Sequence, residues 1–133
     1  MPSKKFCFVI NSYQQACEVV KSCHKNKIIP IIYIKYFIAN GLGPDWIKEF
    51  ENLLKKKFSK NHYKICIDCK KNYGLLINLI EKKIDYIIFD AKINDLKKIK
   101  KIAHKNNVSL NPKFSVVDVS KIKNIDSKIE KLK

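Results

Sequence analysis

Four short runs rich in β-branched and aromatic residues, at 6–10, 29–34, 63–67 and 86–89, each end in a few polar residues. A segment with apolar side chains at helical spacing follows each one. This alternation predicts repeated βα units, the pattern of a parallel sheet. The polar exits are Asn11-Ser12, Lys35-Tyr36, Asp68-Cys69 and Asp90-Ala91. Parallel α/β sheets hold their ligands at the carboxyl ends of the strands, so these exits are the expected address of a site.

The intervening stripes predict where the helices lie. Ser12 is placed to cap a helix running to about Lys25, with Ala16, Val19, Val20 and Cys23 turned toward the sheet. Residues 40–44, Asn-Gly-Leu-Gly-Pro, read as a loop, with Pro44 as the first residue of a helix whose stripe is Trp46, Phe50, Leu53 and Leu54. Leu75, Leu76, Leu79 and Ile80 mark a third helix. Leu96, Ile99, Ile102 and Ala103 mark a fourth, beginning at Asn94 or Asp95. A weaker extended segment at 108–110 is ended by Pro112. Beyond Ser120, the residues Ile122, Ile125, Ile129 and Leu132 predict an amphipathic tail helix that packs on the open end of the sheet or on a neighbouring subunit.

The expected fold is therefore α/β: repeated βα units around a four- to five-stranded parallel sheet, open or shaped like half of an eight-stranded barrel, plus a C-terminal amphipathic helix. One domain over 1–118 and a basic extension over 119–133 are expected, in keeping with a length of 133 residues. A half-barrel exposes apolar inner positions and two strand edges, which points to a homo-oligomer.

No window approaches the length of uncharged apolar sequence that a membrane span needs. Residues 1–5 run straight into the first strand, leaving no room for the apolar core of a signal peptide. A cytoplasmic protein is the expectation. The formal charge of +16 raises a nucleic-acid reading. All 28 basic residues are Lys, however, and recognition of bases or phosphates favours the planar fork of Arg. A dispersed lysine surface with no nucleic-acid partner is the simpler expectation.

Five cysteines, Cys7, Cys17, Cys23, Cys66 and Cys69, are expected as reduced thiols. Cys66 and Cys69 form a C-x-x-C, but the first lies within a strand, where residues three apart point to opposite faces. No second ligand pair accompanies them, so no metal and no cofactor are expected.

Among the exits, Asp68 and Asp90 end consecutive runs and could work as an acid and base pair; each could equally cap the following helix. Cys69 beside Asp68 could be an activated thiolate or an inert buried thiol. Asn11 and Ser12 could hold a ligand hydroxyl or phosphate, and Gly41 and Gly43 would let a backbone approach an anion, although capping and turn formation also account for them. Tyr36, near the glycine loop, could line a pocket or cover a subunit interface.

At the third run the pattern becomes familiar: Ile65-Cys66-Ile67-Asp68-Cys69 resembles the strand ending in Asp-His of class II, zinc-dependent ketose-bisphosphate aldolases. The stretch Phe8 to Ala16 is similar to that family's first strand and helix start, Pro30-Ile31-Ile32-Tyr33 to its second strand, and Asp85 to Asp90 to its fourth. The likeness covers residues 6 to about 111, the first half of the family's barrel, and extends to short alphaproteobacterial proteins of unknown function. It implies a barrel-like order of strands, with Asp68 as the counterpart of the family's acid/base aspartate and Cys69 in place of a zinc-binding histidine. The family's other zinc ligands and its phosphate loops belong to the second half. The reading favoured by these residues is a self-associating protein with a site for a small anionic, phosphorylated metabolite at the strand exits. The alternatives are a lyase-like enzyme using Asp68 and Cys69 and a non-specific nucleic-acid binder.

Overall fold

The computed structural model describes residues 6–132. Six strands form one all-parallel sheet: β1 (Phe6–Ile10), β2 (Ile31–Ile34), β3 (Lys64–Asp68), β4 (Tyr86–Ile88), β5 (Ser109–Leu110) and β6 (Ser115–Asp118). Their order is β5-β4-β3-β2-β1-β6, so the first five succeed one another across the sheet while the last returns to the far side of β1. The fold class expected from the βα rhythm is thus present, with one strand more than expected. Pro112 ends β5, as read, but only Asn111 to Phe114 separate it from a further strand.

That short connection shapes the sheet. In a flat six-stranded sheet the two edges would lie five strand spacings apart, about 24 Å. The chain from Leu110 to Ser115 reaches about 18 Å at full extension. The sheet therefore curls, bringing β5 and β6 toward each other without pairing them. Phe114, at the end of the connection, lies edge-on against Tyr86 of β4 with 4.9 Å between ring centroids.

Alternation along the strands divides the side chains between two faces. Phe8, Ile10, Ile32, Ile34, Ile65, Ile67 and Ile87 point outward into the main core. Helices α1 (Tyr13–Lys25), α2 (Tyr36–Lys57), α3 (Tyr73–Glu81) and α4 (Ile93–Lys105) contribute the opposing residues, among them Val19, Val20, Ile47, Phe50, Leu76, Leu79 and Ala103. On the inner face Cys7, Ile31 and Cys66 are buried together, with Tyr33, Tyr86, Ile88 and Phe114 packed around them. The inner positions at the middle of the sheet are thus covered, whereas Val116 of β6, in register with Cys7, is 63% exposed.

Several local expectations are corrected. Residues 40–44 are not a plain loop: α2 begins at Tyr36 and continues past Gly41, and the interruption sits at Gly43, whose φ of 84° no ordinary L-residue holds easily. Pro44 then starts the second half of the helix. Ile102 of α4 is 54% exposed instead of facing the sheet, because Ile99 and Ala103 already fill the inner side of the helix. The tail helix is the short α5 (Ile125–Glu130), which packs on α1 of the same chain. Ile125 and Ile129 are buried, and Asp126 accepts hydrogen bonds from Ser22 and Lys25.

Three of the helices end alike. Lys27, Lys83 and Asn107 each adopt a left-handed conformation, with φ of 59°, 58° and 61°. In each case the following residue, Ile28, Ile84 or Val108, donates its N–H five residues back, to Cys23, Leu79 or Ala103. This is the Schellman geometry, with an apolar residue turned into the core behind it. At the edge of the sheet, Asn111 extends the ladder with its side chain: its Oδ1 accepts from the Phe89 N–H at 2.7 Å and its Nδ2 donates to the Phe89 carbonyl at 2.9 Å. Among the described residues no helix is long and apolar enough to cross a membrane.

Candidate functional site

The parallel register brings the carboxyl ends of β1, β2, β3 and β4 to one rim. Asp68, the last residue of β3, is its most enclosed charge, 9% exposed. Its Oδ2 accepts from the Tyr33 hydroxyl at 2.9 Å and lies 3.6 Å from Lys70 Nζ. Its Oδ1 accepts from the Lys70 N–H at 2.9 Å. That second bond is an Asx turn, and it supports the left-handed Lys70, φ 50°, so the carboxylate both shapes the turn after β3 and faces a lysine ammonium. Burial, and next the bond to Asp68, raise the Tyr33 hydroxyl well above the usual tyrosine range, which keeps it a donor.

Beside this pair, Lys35 follows β2 and donates from Nζ to Asn11 Oδ1 at 3.2 Å. Asn11 is in turn held by its N–H, which donates to Gln15 Oε1 at 2.6 Å. Ser12 caps α1, its hydroxyl accepting from the Gln15 N–H at 3.2 Å. Gln15 reaches further, donating to the Ser120 carbonyl at 2.8 Å and so tying the exit of β1 to that of β6. Asp118 of β6 accepts from both the hydroxyl and the N–H of Ser120, which hold its carboxyl below the usual carboxylate range, with Lys35 and Lys121 adding to the effect.

The residues expected at the exits are distributed as follows. Asn11, Ser12 and Asp68 lie on the rim as placed above. Tyr36 begins α2, and its hydroxyl accepts from Asn72 Nδ2 at 3.3 Å, linking α2 to the residue that caps α3. Asp90 is largely exposed and sits 3.9 Å from Lys71 Nζ, so the partner of each aspartate is a lysine: Lys70 for Asp68, Lys71 for Asp90. Cys69 is fully buried in the outer core, and burial, then the charge of Asp68, push its thiol up to about 12. A thiol in that state is protonated and out of a ligand's reach. Cys66 lies on the other face, its thiol raised first by its hydrogen bond with Cys7 and then by burial. Gly43 lines a small cleft between α2 and α3, and Gly41 lies within the helix with open space around it. Among the described residues no three His, Cys, Asp or Glu side chains gather as a metal site.

Sequence reading placed Lys35 at a strand exit without giving it a role, and missed Tyr33, Lys70, Asp118 and Ser120 as parts of the rim. Tyr33 carried a usable signal. It is the one hydroxyl-bearing residue in an otherwise aliphatic strand, on the same face as the inward Ile31. Asp118 carried none, since it depends on a strand that was not foreseen. Compared with known protein families, curated proteins and solved structures, the chain matches none.

Proposed function

We propose that this chain binds a small phosphorylated metabolite at the carboxyl rim of its sheet. The observation that carries the reading is that Lys35 and Lys70 follow adjacent strands at one rim, each ammonium beside a neutral or acidic rim acceptor, Asn11 and Asp68. Two ammonium groups at one rim supply the charge that a phosphate needs, and the Tyr33–Asp68 pair supplies acceptors beside it for a hydroxyl of the same molecule. The buried, protonated Cys69 removes the thiol from any chemistry there, which favours a binding role over a lyase. Five buried free thiols accord with a reducing compartment such as the cytoplasm.

The test is a thermal-shift titration with inorganic phosphate and a panel of sugar phosphates, followed by the Lys35→Gln, Lys70→Gln double variant. A concentration-dependent rise in melting temperature that the double variant loses is the expected result. No rise with any phosphate compound, or an equal rise in the double variant, overturns the proposal.

A further inference from the structure

Next to Lys70 the rim opens into two adjoining depressions. One, of about 650 Å³, is lined by Tyr36, Lys70, Lys71, Asn72 and Asp90. The other, of about 400 Å³, is lined by Lys71, Tyr73, Asp90, Ala91, Lys92 and Asp95. They share Lys71 and Asp90, whose side chains form the divide between them. That divide is soft: both side chains are more than 70% exposed and meet only at 3.9 Å, so a ligand can replace the pair at little cost. Each depression alone falls within the size of a small-molecule site.

Their chemistry differs from that of a site for a bare sugar phosphate. The ring of Tyr73 is 48% exposed, yet it is fixed edge-on against the buried Phe89, 4.9 Å between centroids at 70°. A rigid aromatic ring that keeps much of its surface in water is a stacking platform for a flat π-system. Asp90 and Asp95 offer carboxylate acceptors for vicinal hydroxyls, the Asn72 amide lies in the first depression, and Lys70, Lys71 and Lys92 supply positive charge. Phosphate, polyol and aromatic ring in one molecule describe a nucleoside phosphate.

We infer that the ligand of this rim is a nucleoside phosphate, with its phosphate on Lys70, the lysine shared with the site above, its ribose beside Lys71 and Asp90, and its base against Tyr73. The inference rests on the phosphate-site reading above and narrows the ligand class. The experiment is calorimetric titration of the intact protein with AMP, ribose 5-phosphate and inorganic phosphate, repeated on Tyr73→Ala, Tyr73→Leu and Lys71→Gln. AMP should bind at least tenfold more tightly than ribose 5-phosphate. Tyr73→Leu, which keeps an apolar cover over Phe89 but lacks the ring, should reduce that ratio to near one, as should Tyr73→Ala, while ribose 5-phosphate binding stays unchanged. Lys71→Gln should weaken both sugar-containing ligands together. Equal affinities for AMP and ribose 5-phosphate, or a ratio unmoved by both Tyr73 variants, overturn the nucleoside inference and leave the phosphate site standing. Failure of all three compounds to bind removes both.

Discussion

The thiols carry the clearest chemical consequence at the scale of single residues. Cys23 and Cys69 are fully buried, and burial pushes each up to about 12. A group whose pKa is raised by folding contributes stability below its unfolded value, and that contribution is lost as the pH rises toward the folded value. The window here runs from about pH 9 to about 12, with a slope of roughly 1.4 kcal/mol per pH unit for each thiol once the unfolded form ionises. Cys69→Ala should therefore flatten the alkaline fall in urea midpoint, even though it lowers the midpoint at pH 7 by leaving a small void. An identical slope between pH 9 and 10.5 in the variant would show that Cys69 does not titrate on unfolding. Sequence reading could place Asp68 and Asn11 on the rim because a strand exit is a local feature. It could not place Tyr33 against Asp68, since that contact depends on which strands lie side by side.

The helix ends are the most informative elements. Lys27 and Lys83 occupy left-handed positions where glycine is the unstrained choice, and their N–H groups still complete the turn. Lys83→Gly should raise stability by roughly 0.5–1 kcal/mol, seen as a gain of about 2–5 °C in melting temperature. A drop instead would mean that Lys83 contributes a contact worth more than its backbone strain. These helix ends were legible only in part. Apolar periodicity located α1, α3 and α4, but no glycine marked where each helix stops. The same logic explains the reading of 40–44: two glycines and a proline signal a loop, yet only Gly43 uses its freedom, and the hydrophobic run from Tyr36 keeps the rest helical. β6 was hidden because Ser115–Asp118 is short, half of it polar, and preceded by a proline. Its place beside β1 is a long-range pairing that no local pattern announces.

For the whole molecule, the four-residue connection between β5 and β6 and the ring of Phe114 determine how tightly the sheet curls. Phe114→Ala should uncover the inner face, so that Cys7 and Cys66 react with a thiol reagent at least tenfold faster under native conditions, with a loss of about 2–4 kcal/mol in stability. Unchanged labelling would assign the curl to the backbone connection alone. Pairing between β1 and β6 has another consequence, one of timing. During synthesis β1 emerges first and gains β2 as a neighbour early, but its other edge waits for a strand made some hundred residues later. At ordinary translation rates that is a delay of roughly 5–20 s. Through that interval the outer side of β1 is an open apolar edge, and a nascent chain arrested before Ser115 should be a far better chaperone client than one released after Asp118.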